Sequence, residues 1–169
     1  MIANETAPTR FGSAIALCWV FVSIGVSALY SLPALAVGGL GGLLFVSGLL
    51  GGSRRRLSGG AFSVFLAALL AATLGAPVDA TLLGVVTAVL AWDAGGVSMS
   101  LGTQLGSDAP TIRAELVHVS ASAGIGLFTI VVGYAIFSFW SGVVSISALI
   151  YLLLAALVLL FAARVGSKA

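Results

Sequence analysis

The sequence predicts an all-α fold: a polytopic membrane bundle of about six transmembrane helices, with N-terminus and C-terminus cytoplasmic. Composition is the first reason. Of 169 residues, 60% are apolar and only 7% charged, against roughly 25% charged in a soluble domain, and the mean hydropathy is +1.23. A soluble chain of this length could not hide so much apolar surface. The second reason is spacing. No charge occurs from Phe11 to Ser53 or from Val119 to Ala163, and each run is about twice the length of one span. The third is where the basic residues fall, taken up after the helices.

Helix 1 is expected over 12–30 and helix 2 over 34–52. Ser31-Leu32-Pro33 divides them, because proline disfavours helix in the residue before it and starts a new helix well. After Arg54-Arg55-Arg56 comes helix 3, over 59–75. Gly75-Ala76-Pro77-Val78-Asp79 reads as a turn, and helix 4 follows over 80–99. The last uncharged run breaks around Trp140-Ser141-Gly142, placing helix 5 at 117–138 and helix 6 at 143–163. Together they make a single transmembrane domain over 1–169 that leaves no room for a soluble one.

With six spans beginning inside, the cytoplasmic segments are 1–11, 53–58, 100–116 and 164–169. They hold all seven basic residues: Arg10, Arg54, Arg55, Arg56, Arg113, Arg164 and Lys168. Five or seven spans would put basic residues on both sides, against the positive-inside rule. Arg10, the apolar stretch and Val26-Ser27-Ala28 superficially match a cleaved signal peptide. Removing that segment would spoil the charge pattern, so it is read as the first span.

A shift of 44 residues aligns Val20-Phe21 with Val64-Phe65, Pro33 with Pro77, and Gly51-Gly52 with Gly95-Gly96. This is a weak repeat of hairpins 12–52 and 56–96, of a kind that unrelated hairpins of equal length also produce. Gly38, Gly42, Gly48 and Gly52 fall at helical spacing in helix 2, and Ser120, Ser122, Gly124 and Gly126 open helix 5. Small residues let helix backbones approach where lipid supplies no hydrophobic drive. Packing within the bundle is the plain reading, and a docking face for another membrane subunit the sharper one. Tyr30, Phe139 and Trp140 suit an outer aromatic belt, and Cys18 is a lone residue in an apolar run with no disulfide or metal partner.

Polar chemistry is confined to Trp92 through His118. Asp93 sits within helix 4, where a carboxylate should pair, protonate or reach water. It is either an ion or proton site, or a residue near the inner interface with Trp92 beside it. Ser107 or Asp108 can cap a helix whose first turn holds Pro110. Glu115 and His118 are three apart on it and share a face, while Arg113 points elsewhere. Their plain role is to solvate that helix end.

A net charge of +2 without a basic stripe excludes nucleic acid. With one histidine and no Cys pair, zinc chemistry is unsupported. Gly96-Val97-Ser98-Met99 lacks the closing glycine of a nucleophile elbow, and there is no phosphate-binding glycine loop. The expectation is no enzyme, no cofactor and no metal.

Trp92-Asp93, Leu101-Gly102 with Gln104-Leu105-Gly106, and Thr111 with Arg113, Glu115-Leu116 and His118 resemble the signature of an uncharacterised archaeal membrane protein family, typical of salt-loving archaea. Its members are encoded near MoxR-type AAA ATPases and von Willebrand factor A-like proteins, so the resemblance implies a membrane subunit of a larger assembly. It implies no known activity. It does imply that Asp93, Gln104, Arg113, Glu115 and His118 form one cytoplasmic-side cluster, which spacing alone suggests only faintly. Three functions follow in order of expectation: a non-enzymatic cell-membrane subunit that binds other membrane subunits or itself, a small proton- or ion-coupled transporter or channel using Asp93, and a lipid-modifying membrane enzyme.

Overall fold

The computed structural model describes residues 8–105 and 111–139, together with 148, 150, 151 and 153–155. Five long helices follow one another: α1 (Arg10–Ala28), α2 (Leu32–Leu50), α3 (Arg54–Thr73), α4 (Val78–Leu105) and α5 (Ile112–Phe139). The described residues are helical apart from short connections and contain no strand. All five helices are long and apolar enough to cross a membrane. Expected helix 6, over 143–163, lies outside the described residues except for a few helical positions, of which Ile150, Leu153 and Leu154 pack on the main core.

Local chemistry explains the turns. Ser31 caps α2 by accepting the Ala34 amide at 3.1 Å, with Pro33 in the first helical turn. At the other end of α2, the Gly52 amide donates to Leu49 O and the Ser53 amide to Gly48 O, while Gly52 takes φ +61. That pattern is a Schellman motif, which favours glycine at its left-handed position. α3 ends the same way: the Gly75 amide donates to Ala72 O and the Ala76 amide to Ala71 O, with Gly75 at φ +105. A Cβ on Gly75 would meet nothing within 4 Å, so only backbone strain opposes a side chain there. Gly75→Ala should therefore lower stability by about 1–2 kcal/mol, read as a drop in thermal midpoint in detergent. An unchanged midpoint would show that this turn is not strained.

α1 and α2 lie slightly earlier than expected, and α3, α4 and α5 begin or end well away from the expected bounds, for one reason. Spacing of charges locates where a chain leaves lipid, whereas a helix runs on until a cap or proline stops it. Thus α3 starts at Arg54, not 59, because Ser53 serves as its N-cap, and all three arginines lie in its first turn. α4 continues to Leu105 and not 99, and α5 begins at Ile112 and not 117. At 28 residues, α4 is about 42 Å long, well beyond a hydrocarbon core of about 30 Å.

The helices alternate in direction. α2 packs mainly on α3, α1 and α3 pack on α4, and α5 packs almost wholly on α4. Phe45, Leu57, Val64, Ala88 and Ala91 form the centre of the core, all essentially inaccessible. Glycine spacing is used differently from the expected single face. Gly42 meets Ile24 of α1 and Gly38 lies between Ile24 and Ala67 of α3, whereas Gly48 lies against the Leu57 backbone of α3. Gly52 is exposed in the turn and belongs to no packing face. Close approaches between α2 and α3 also occur at Gly41 and at Gly60, which lies against the Phe45 backbone.

Candidate functional site

Alternating direction brings the N-terminal ends of α1, α3 and α5 beside the C-terminal ends of α2 and α4. Arg10, Arg54, Arg55, Arg56 and Arg113 all stand exposed there. The polar residues of α4 and α5 lie just inside this basic end. Asp93 of α4 faces α5, where His118 and Ser122 sit one turn apart on the same side. His118 Nε2 lies 2.7 Å from Asp93 Oδ2, and Ser122 Oγ donates to the same oxygen at 2.8 Å. With the carboxylate ionised, the imidazole donates from Nε2 and both neighbours point hydrogen at one acceptor. The His118 and Asp93 side chains are 39% and 36% exposed, so the pair sits at the rim of the α4–α5 seam.

On its other side, Asp93 borders a crevice of about 100 Å³ between α3 and α4, lined also by Arg54, Ser58, Trp92 and Ser100. Trp92 Nε1 donates to Ser58 Oγ at 3.0 Å, and Arg54 donates to Ser100 Oγ. A polar strip therefore runs from the basic end inward to Asp93. It stops there. Further along, the buried hydroxyls of Ser23, Ser27, Thr81 and Thr87 all donate to backbone carbonyls, Ser31 caps α2, and the other buried side chains are apolar.

Glu115 occupies a separate place. It is 1% exposed, and its Oε1 accepts from Thr111 Oγ1 at 2.5 Å. Its other oxygen points at α1. A Cβ built on Gly12 would lie 2.7 Å from Glu115 Oε2, 2.8 Å from Ser98 Cβ and 3.1 Å from Thr9 Oγ1. Only glycine lets α1, α4 and the carboxylate meet here. The Thr9 amide donates to Ser98 O at 3.1 Å, tying the start of α1 to α4.

The expected five-residue cluster thus divides. Asp93 and His118 come together, but the shared helix face does not give a Glu115–His118 hydrogen bond. Each reaches a different neighbour, because α4 and α1 approach α5 from different sides. Gln104 and Arg113 are exposed, with no hydrogen bond to the other three. Sequence reasoning assigned no role to Thr9, Gly12 or Ser98. Ser122 was legible only as a small residue, although its position one turn beyond His118 is a signal. Of the serine and glycine set in α5, Gly126 packs on Val86 and Leu90, while Gly124 meets nothing within 4 Å. Among the described residues, no group of three His, Cys, Asp or Glu side chains is placed to hold a metal.

Five apolar helices, each of spanning length, packed with a polar site at one end define the class: this is a polytopic, all-helical integral membrane protein. The chain belongs to a protein family of unknown function (DUF7519), which matches residues 6–160. No curated protein matches it, and no solved structure does.

Proposed function

We propose that this chain is a non-enzymatic subunit of a membrane assembly, residing in the cell membrane with its basic end in the cytoplasm. One observation carries the reading. Only 6% of the apolar window of α5 is buried, against 56% for α3 and 61% for α4. Among the described residues α5 is held by α4 and, at Glu115, by α1, and the rest of its length offers a long apolar surface for association. Orientation rests on the positive-inside rule and on the five arginines gathered at one end.

The test is native purification in mild detergent, comparing wild type with Gly124→Trp on the exposed face of α5. Wild type should bring down a membrane partner at fixed stoichiometry, and the variant should lose it while keeping its own thermal midpoint. Recovery of the bare, stable chain in both cases would refute the reading.

A second reading is a small proton- or ion-coupled transporter. The Asp93–His118 contact at the inner end of a polar crevice supports it, since carboxylate–imidazole pairs at membrane depth suit proton relays. Asp93→Asn should then abolish ion-dependent flux in liposomes without loss of fold. Unchanged flux, or no flux in the wild type, would reject it.

A further inference from the structure

We propose that Glu115, Thr9 and Ser13 hold a monovalent alkali cation at the junction of α1, α4 and α5. Among the described residues, three buried side-chain oxygens lack a hydrogen-bond partner: Glu115 Oε2, Thr9 Oγ1 and Ser13 Oγ. Two of them meet at this junction, and the third follows one turn along α1. Glu115 Oε2 and Thr9 Oγ1 both border the space that a Gly12 Cβ would fill, and Ser13 is one turn beyond Thr9 on α1.

A hydroxyl beside a carboxylate ordinarily turns its proton toward it, because such charge-assisted bonds are among the stronger ones. Thr9 does not do so, and the Ser13 hydroxyl is also without a partner. Two buried oxygens that border the same glycine without bonding one another, with a third one turn along α1, form the kind of donor set that suits a hard cation. The energetics point the same way. Burying an ionised carboxylate costs several kcal/mol, and no Lys or Arg pairs with Glu115 among the described residues. Its bond from Thr111 is worth about 1.5–3 kcal/mol. The N-terminal ends of α1 and α5 supply about 0.3–1 kcal/mol each, rising to about 2 in buried geometry. These terms leave Oε2 itself without a donor.

Charge selects the ion. One carboxylate is neutralised by one positive charge, whereas a divalent ion would leave an excess beside two positive helix ends. Those same helix ends weaken the binding of any cation, so the site is of low affinity and its occupancy follows the salt concentration. Gly12 is the residue that makes the cradle possible, since a methyl group there would displace the carboxylate.

The experiment is thermal unfolding of the full chain in detergent, followed by tryptophan fluorescence, in sodium, potassium or choline chloride at equal ionic strength. Sodium or potassium should raise the midpoint over choline, and the gain should grow with concentration as mass action requires. Thr9→Val and Ser13→Ala, which leave the carboxylate in place, should each cut that gain at least twofold, and Gln104→Ala should leave it intact. Equal midpoints in all three salts would overturn the proposal and leave a water or a proton in the gap. A gain that survives the Thr9→Val/Ser13→Ala double variant would overturn it as well.

Discussion

Gly60→Val is expected to destroy most of the monodisperse protein. A Cβ on Gly60 would lie 2.4 Å from Phe45 N, 2.6 Å from Phe45 Cα and 2.7 Å from Gly41 O. All three are backbone atoms, so no side chain can swing aside. Helices α2 and α3 would have to move apart along the most intimate contact in the bundle. That contact also contains Gly48, whose Cβ would meet Leu57 N at 2.4 Å, and the 3.1 Å bond from Ser63 Oγ to Val37 O. In lipid, helix association rests on close van der Waals packing and interhelical hydrogen bonds, and separating the helices forfeits both. Overpacking commonly costs 1–3 kcal/mol and sometimes more. With backbone as the obstacle, about 3 kcal/mol or more is expected. Fluorescence-detected gel filtration and a melting curve measure it. Gly39 is the control, because a Cβ there meets nothing within 4 Å. Gly39→Ala should be neutral or stabilising by up to about 1 kcal/mol through helix propensity. Equal losses at both positions would refute the close-approach account.

Asp93→Ala should loosen α5 from the bundle. Both His118 Nε2 and Ser122 Oγ would lose their acceptor, and α5 has few other ties, with Glu115 and Gly126 its only buried residues. Interhelical hydrogen bonds in membranes average about 0.6 kcal/mol and reach about 1.7, so losing two should cost about 1–3 kcal/mol. Asp93→Asn keeps an acceptor oxygen and should cost less. A cysteine pair at Val86 and Gly126, which are in contact, would report the seam once Cys18 is replaced by serine. Cross-linking should fall several-fold in Asp93→Ala and stay near the parental level in Asp93→Asn. If the alanine variant keeps both its cross-link and its midpoint, the pair does not fasten α5. Ion flux measured on the same Asp93→Asn protein then separates a fastening role from a transport role.

Much of the architecture was written locally. Pro33 and Pro77, with Ser31 and Gly75 beside them, mark turns by chemistry that acts within a few residues. The uncharged stretches have the length that a bilayer demands. Asp93, Glu115 and His118 announced themselves because charged and titratable groups are rare in such a chain. Their partners did not. Asp93 and His118 are 25 residues apart on different helices, and nothing in their spacing distinguishes that pair from Glu115–His118, which share a face and do not meet. The expected glycine face of helix 2 failed similarly. Gly42 turns toward α1, Gly38 sits between α1 and α3, Gly48 turns toward α3, and the closest contacts are those of Gly48 with Leu57 and Gly60 with Phe45.

The reason lies in the solvent. In a soluble protein, each helix carries a polar stripe and an apolar stripe, and the boundary tells which side faces inward. Here lipid and core are equally apolar, so that boundary is erased and rotation about each helix axis is left to close packing. Hydrophobic length and caps therefore determined the presence and approximate positions of the five described helices from the sequence by itself, though not where α3, α4 and α5 start or stop. Only the tertiary structure decided which faces meet. It set Asp93 against His118 and Ser122, and turned Glu115 away to Gly12 and Thr9, because a shape fit between distant residues has no one-dimensional signature.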